Sequence, residues 1–286
     1  MHLLKSVEKC YFCLMKWLKL LLDVYVKGSI HVALSVFSLS VLSLISLNKT
    51  FFHWELLIVF FVTYVYYNLI KFLPLRFNGK KQPYIFWFWL KISTLLALIV
   101  ALYVLFYLKL DAIIILGLSS FFGILYVQRG LIPVSRENGW IKAILVSLVW
   151  ALVSGMLPLT ISNEYWFTLE AILLVFSNFF LVFALLVPFE IRDMNTDKLT
   201  LPNLAQQLGV KKIKGVGYLS LIVSLILWTI ASDLRLEYWI IYLLFYVITG
   251  GVIGGAGINR SSYYTALWVE AIPIFLLISV SLLGLF

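Results

Sequence analysis

Nine apolar stretches of roughly membrane-spanning length dominate this sequence. They cover residues 29–47, 52–72, 85–107, 111–128, 141–160, 165–188, 214–231, 237–256 and 265–286. About 20 apolar residues in an α-helix cross the hydrocarbon core of a bilayer, where every backbone polar group has to be paired within the segment. Of the 286 residues, 63% are hydrophobic and 12% charged, and the mean hydropathy is +1.03. These values exclude a soluble domain and predict an all-α polytopic membrane protein, a bundle of about nine transmembrane helices.

Basic residues are distributed unevenly between the loops on the two sides of the membrane. Eighteen of the 22 Lys and Arg residues lie in the N-terminal segment and in the loops after the second, fourth, sixth and eighth spans. Because Lys and Arg are enriched in cytoplasmic loops, we expect the N-terminus and these loops to be cytoplasmic and the protein to lie in the cytoplasmic membrane. Topology therefore explains the net charge of +9, and no nucleic-acid partner is expected.

The N-terminal segment differs in composition from the rest of the chain. Its lysines are interspersed with Trp17 and several leucines, a pattern that is typical of a helix lying on an anionic membrane surface. A weakly ordered tail is the alternative. The sequence thus predicts an interfacial segment over residues 1–28 and a single transmembrane domain over residues 29–286.

An acidic run follows the sixth span. Glu190, Asp193 and Asp197 are spaced i, i+3 and i+7, so a helix would place all three carboxylates on one face. Like charges at this spacing repel one another, and ionisable groups at a membrane edge are costly, so the cluster is best explained if cations complete it. Carboxylate oxygens are ligands that Mg²⁺ prefers. The predicted topology places this cluster on the cytoplasmic side.

The acidic run and the residues after it resemble the second aspartate-rich motif of the UbiA-type superfamily of intramembrane prenyltransferases. That motif is D-x-x-D-x-x-x-D with a trailing T-L-P, and here Glu190, Asp193 and Asp197 are followed by Thr200-Leu201-Pro202. The resemblance extends over most of the chain.

Two further segments support the resemblance. Tyr126 with Arg129 after the fourth span is similar to the family's Tyr followed by a basic residue, and residues 139–158 are similar to its fifth helix. The resemblance implies a central cavity that opens to the cytoplasm. It also implies transfer of an isoprenyl chain from an isoprenyl diphosphate to a small hydrophobic acceptor, aromatic or lipid, with Mg²⁺ as cofactor and membrane lipid as surroundings.

The family's first motif, N-D-x-x-D-x-x-x-D at the end of the second span, is retained only in its Asn. Asn68 is followed by Leu69, Phe72 and Arg76 where acids are expected. The same loop carries Lys71, Arg76, Lys80 and Lys81, which could neutralise a diphosphate directly in place of a metal. Alternatively, these cations are present for topological reasons alone.

The resemblance implies a set of site residues. Asp193 and Asp197 would be catalytic, and they would bind Mg²⁺ together with Glu190. The residues implied to bind the diphosphate are Asn68, Lys71, Arg76, Tyr126, Arg129 and Lys198.

Three functional classes stay open at this point. The first is a prenyl-transferring enzyme, and the second is a relative with altered chemistry, such as cyclisation or another phosphate-linked transfer. The third is a non-catalytic protein that binds or transports lipid. A transporter would carry charged residues along a path through the middle of the membrane, and the predicted spans contain few.

Overall fold

The structure, a computed structural model, describes residues 21–22, 24–72, 84–127, 139–162, 167–195, 202–232 and 236–282, and all regular secondary structure in these ranges is helical. The helices are α1 (Ile30–Ser46), α2 (Leu57–Phe72), α3 (Tyr84–Leu105), α4 (Leu110–Val127), α5 (Gly139–Ala151), α6 (Leu169–Asp193), α7 (Leu204–Leu208), α8 (Val210–Ala231), α9 (Leu236–Gly255) and α10 (Ile272–Leu282). One π-helical segment, Leu152–Met156, continues α5 into Leu157–Ile161, and another, Tyr264–Val269, precedes α10.

The predicted all-α membrane bundle is confirmed, since each predicted span contains one of these helices. Among the described residues, six helical segments are long and apolar enough to cross a membrane, and three more, in α1, α2 and α4, are apolar but shorter. The sixth span was predicted to end at residue 188, but α6 continues to Asp193. Consequently Glu190 and Asp193 project from a helix rather than from a loop.

The predicted interfacial segment at the N-terminus falls largely outside the described residues. Of residues 1–28, the structure describes only 21–22 and 24–28, and residues 24–27 are helical. The division into an interfacial segment and one transmembrane domain therefore stays a prediction.

Burial distinguishes central helices from peripheral ones. The helical segment that begins with α5 and continues to Ile161 has 61% of the residues in its most apolar window buried inside the bundle, and α6 has 56%. The corresponding fractions are 22% in α3 and 28% in α9. The outer faces of α3, α8 and α9 expose large apolar side chains, among them Leu96, Ile222 and Val247. In a bilayer these faces contact lipid, so α5 and α6 are the helices that can position an internal site.

Paired serines join α6 to α8. The Ser177 hydroxyl lies 2.9 Å from the carbonyl oxygen of Ser224, and the Ser224 hydroxyl lies 2.8 Å from that of Ser177. Tyr246 of α9 adds its hydroxyl at 2.9 Å from Ser224 Oγ. Both serines are buried, and small side chains with such hydrogen bonds allow membrane helices to approach closely. This contact fixes α6, which carries Glu190 and Asp193, against the C-terminal half of the bundle.

We expect Ser224→Leu to lower the thermal stability of the protein in detergent by several degrees. The larger side chain would separate α6 from α8, and overpacking of this kind costs about 1–3 kcal/mol. Ser279→Leu is the matched control because Ser279 is exposed on α10. Equal melting temperatures for the two variants would contradict the role given to the paired serines.

Candidate functional site

A polar cavity of about 200 Å³ lies at one end of the bundle. Its wall includes these polar side chains: Ser35, Tyr67, Tyr126, Lys142, Glu190, Asp193 and Glu270. They come from α1, α2, α4, α5, α6 and the turn before α10. Helices that alternate in direction across a membrane bring the start of odd-numbered spans and the end of even-numbered spans to one side, and these residues follow that pattern.

A second, apolar cavity of about 60 Å³ lies beside the polar one. The two cavities share Tyr67, Tyr126, Val146 and Trp150 in their walls. At the junction, Trp150 Nε1 donates a hydrogen bond of 2.8 Å to the Tyr67 hydroxyl. Beyond this pair the wall is mostly aliphatic, formed by Val36, Val62, Leu116, Leu145, Val149 and Val153, with Thr63, Ser119 and Ser120 as polar exceptions. The arrangement therefore places a cavity lined by charged side chains beside an apolar cavity.

Glu190 is held by two contacts from neighbouring elements. Its side chain is buried, with one oxygen accepting the backbone N–H of Leu204 at 2.9 Å and the other lying 3.3 Å from the ammonium of Lys142. Both carboxylate oxygens are therefore engaged by the protein. A metal ion would have to compete with these contacts, and metal ligation by Glu190 stays a prediction.

The segment after the acidic run folds back onto the end of α6. Asn203 donates a side-chain hydrogen bond of 3.0 Å to the Glu190 carbonyl oxygen and forms a capping box with Gln206 at the start of α7. Gly139 lies against this segment so closely that a Cβ atom there would be 2.7 Å from the backbone nitrogen of Leu204. The start of α5, the end of α6 and the start of α7 thus form one packed unit beneath the cavity.

Asp193 lies at the wall of the polar cavity and is paired with Arg192. Nε and Nη2 of Arg192 donate to its two oxygens at 2.6 and 2.8 Å. Arg192 also contacts the Thr265 hydroxyl, and its guanidinium lies 5.2 Å from the centre of the Phe189 ring. Since 31% of its side chain is exposed, Asp193 can reach a ligand in the cavity.

The other predicted site residues are placed differently. Tyr126 lines both cavities, and diphosphate binding by Tyr126 stays a prediction. Asn68 is buried and donates a hydrogen bond of 3.1 Å to Thr94, while its Oδ1 has no hydrogen-bond partner in the part of the chain that the structure describes. It lies outside the walls given for both cavities, so diphosphate binding by Asn68 gains no support and stays a prediction. Arg76, Arg129, Asp197, Lys198 and the side chain of Lys71 lie outside the described residues.

The described residues offer limited ligands for Mg²⁺. Among them, no group of three or more His, Cys, Asp or Glu side chains is placed to hold a metal ion. Of the described residues of the acidic motif, Asp193 is the one that lines the cavity with a partly exposed carboxylate. Asp197 lies outside the described residues. The predicted magnesium site therefore depends on the pair Asp193 and Asp197.

Several residues of the polar cavity were not predicted as site residues. Lys142 and Trp150 lie in the α5 segment that supports the family resemblance, so their pattern could have indicated them. Tyr67 precedes Asn68 of the first motif, whereas Ser35 and Glu270 lie in apolar spans with no motif around them, and only the three-dimensional packing brings the three together. Burial raises the pKa of the Tyr25 phenol, and the negative charge of nearby Glu270 raises that pKa further.

A solved structure with a similar fold is that of a digeranylgeranylglyceryl phosphate synthase in membranes. It aligns with 91% of this chain and 93% of its own, at 16% sequence identity and a TM-score of 0.54. This similarity shows the fold. No protein-family model matches the sequence, and no curated protein matches it.

We expect Gly139→Ala to destabilise the packed unit of α5, α6 and α7, because the added methyl group would collide with the backbone at Leu204. Overpacking against backbone costs about 1–3 kcal/mol, which thermal unfolding in detergent would measure. Gly251→Ala is the control, since a Cβ at Gly251 would meet no atom within 4 Å. A melting temperature for Gly139→Ala as high as that of the control would contradict this packing.

Proposed function

We propose that this protein is a membrane-embedded prenyltransferase, which transfers an isoprenyl chain from an isoprenyl diphosphate to a hydrophobic acceptor. The observation that supports this most strongly is that a cavity with charged side chains lies beside an apolar one, with the hydrogen-bonded pair Tyr67 and Trp150 in the walls of both. An isoprenyl diphosphate has the same division, with a charged head and a branched hydrocarbon tail. The similarity of fold to a digeranylgeranylglyceryl phosphate synthase, named for a lipid with two geranylgeranyl chains, points the same way.

In this proposal the diphosphate lies at the polar mouth. Lys142, which lines the cavity and is paired with Glu190, would turn towards the diphosphate, and the sequence adds Arg129, Lys198 and the basic loop with Lys71 and Arg76. Cations and fixed hydrogen-bond donors around a leaving diphosphate stabilise the charge that develops when its carbon–oxygen bond breaks.

The isoprenyl tail would extend past Tyr67 and Trp150 into the apolar cavity. Exclusion of water from this region would protect an allylic cation from hydrolysis. The faces of Tyr67, Tyr126 and Trp150 border the junction, where aromatic rings can attract a cation. These residues would therefore orient the reacting carbon near the acceptor.

Magnesium is part of the proposal as a predicted cofactor. Asp193 and Asp197 are the residues that would hold it, and bound Mg²⁺ would supply positive charge to the diphosphate. Glu190 would act mainly by fixing α7 and Lys142, through the two contacts that occupy its oxygens.

The direct test is diphosphate release from labelled geranyl, farnesyl and geranylgeranyl diphosphates by the purified protein in lipid, with and without Mg²⁺. We expect release from at least one donor, and we expect Asp193→Asn to reduce it by about 100-fold or more, the effect of removing one group that stabilises developing charge. The melting temperature should change little, because Asp193 is partly exposed.

Asp111→Asn is the matched control. Asp111 is exposed in the first turn of α4, and the predicted topology places it on the opposite side of the membrane. It should release diphosphate at the wild-type rate. If the protein neither binds nor cleaves any of the three donors, the proposed function is wrong and a non-catalytic role becomes the better explanation.

A further inference from the structure

One side of the polar cavity is not explained by the acidic motif. Glu270 lies in the turn between the π-helical segment and α10, near the C-terminus. It lines the same cavity as Glu190 and Asp193. A π-helical turn inserts an extra residue into a helix, which changes the direction of the side chains that follow, and such turns are frequent at functional sites. Glu270 directly follows this segment.

Ser35 of α1 lines the cavity together with Glu270. It is completely buried, and its hydroxyl has no hydrogen-bond partner among the described residues. Other serines of the same helix are satisfied locally, since Ser40, Ser43 and Ser46 each donate to the carbonyl oxygen four residues earlier at 3.0, 2.9 and 2.8 Å. A buried hydroxyl without a hydrogen-bond partner destabilises the folded protein. A ligand in the cavity could therefore supply the missing hydrogen-bond partner of the Ser35 hydroxyl.

A histidine one turn before Ser35 holds α1 against the π-helical segment. His31 is buried, and its Nε2 lies 2.9 Å from the carbonyl oxygen of Leu267. Because a carbonyl oxygen only accepts, Nε2 carries a proton, and in the neutral ring Nδ1 accepts from the Tyr25 hydroxyl at 2.7 Å. His31 and Ser35 are four residues apart and so share a face of α1. This contact brings the Ser35 side of α1 next to the turn that carries Glu270.

We propose that Ser35 and Glu270 form the acceptor subsite, which binds the hydroxyl group of an alcohol or phenol. This inference rests on the proposed function and specifies its acceptor. The Glu270 carboxylate accepts a hydrogen bond from the acceptor O–H, and the Ser35 hydroxyl donates one to the acceptor oxygen. Asp193 lines the same cavity from α6, and the proposed function assigns it to the diphosphate.

The reaction at this subsite would form an ether. The bond between the isoprenyl C1 and the diphosphate oxygen breaks, and the electron pair leaves with the diphosphate. The acceptor oxygen forms the new bond to C1, and its proton passes to the Glu270 carboxylate. Glu270 is thus assigned as general base, and Ser35 as an acceptor-binding residue that positions the nucleophile.

The test measures donor binding and acceptor turnover separately in purified protein in lipid. The acceptors are dodecanol and para-octylphenol, with their methyl ethers as probes that lack the donor proton, and farnesyl and geranylgeranyl diphosphates are the donors. We expect the wild-type protein to use at least one hydroxyl compound and neither ether. Glu270→Gln should keep wild-type donor affinity and lose about 100-fold or more in turnover, the contribution typical of a general base.

Ser35→Ala should raise the acceptor KM by about five- to tenfold with little change in kcat, as expected for loss of one hydrogen bond to the bound acceptor. Ser40→Ala is its matched control, because Ser40 lies on the same helix, bonds to Val36 and Val153, and lines neither cavity. Melting temperatures identify any variant that fails to fold.

The outcomes separate this inference from the proposed function. If donors bind to the wild-type protein but no hydroxyl acceptor is used, or if Glu270→Gln turns over as fast as wild type, the acceptor subsite is wrong and the proposed function survives. If no donor binds, the proposed function fails and the subsite fails with it.

Discussion

The buried carboxylate of Glu190 is the interaction on which the geometry of the candidate site depends. It connects the end of α6 to the first backbone N–H of α7 and to Lys142 of α5. Removal of one partner from a buried charged contact leaves the other unsatisfied, so the three elements are coupled. Asp193 lies one helical turn further along α6, and Trp150 lies two turns further along α5. The positions of Asp193 and Trp150 relative to each other therefore depend on this contact.

The bundle also separates polar side chains in its interior from apolar side chains on its outer faces, as lipid surroundings require. Its outer faces are apolar, its paired serines are satisfied across helices, and several of its charged side chains line one cavity. Polar groups in a membrane interior are costly unless paired, so a cavity that holds Lys142, Glu190, Asp193 and Glu270 together is a candidate for function. The apolar cavity beside Trp150 is where the proposed ligand would place its hydrocarbon tail.

The sequence was sufficient to predict the membrane bundle, because apolar length and loop charge depend on local composition. Glu190 and Asp193 lie on α6, whereas Asp197 lies outside the described residues, so the predicted face of three carboxylates stays a prediction. The contact between Glu190 and Lys142 and the fold-back of Asn203 could not be predicted, because both depend on how α5, α6 and α7 pack. Ser35 and Glu270 are 235 positions apart, and no local pattern relates them. The contact of Asn68 to Thr94 likewise depends on the packing of α2 against α3.

The measurement that tests the central claim most directly is photochemical labelling of the purified protein in lipid with a diazirine analogue of farnesyl diphosphate. Mass spectrometry would then identify the labelled residues. If the polar and apolar cavities together hold an isoprenyl diphosphate, the label should fall on Val62, Leu116 and Val149, and unlabelled farnesyl diphosphate should compete for it. Labelling confined to lipid-facing residues such as Leu96 and Ile222, without competition, would contradict the account.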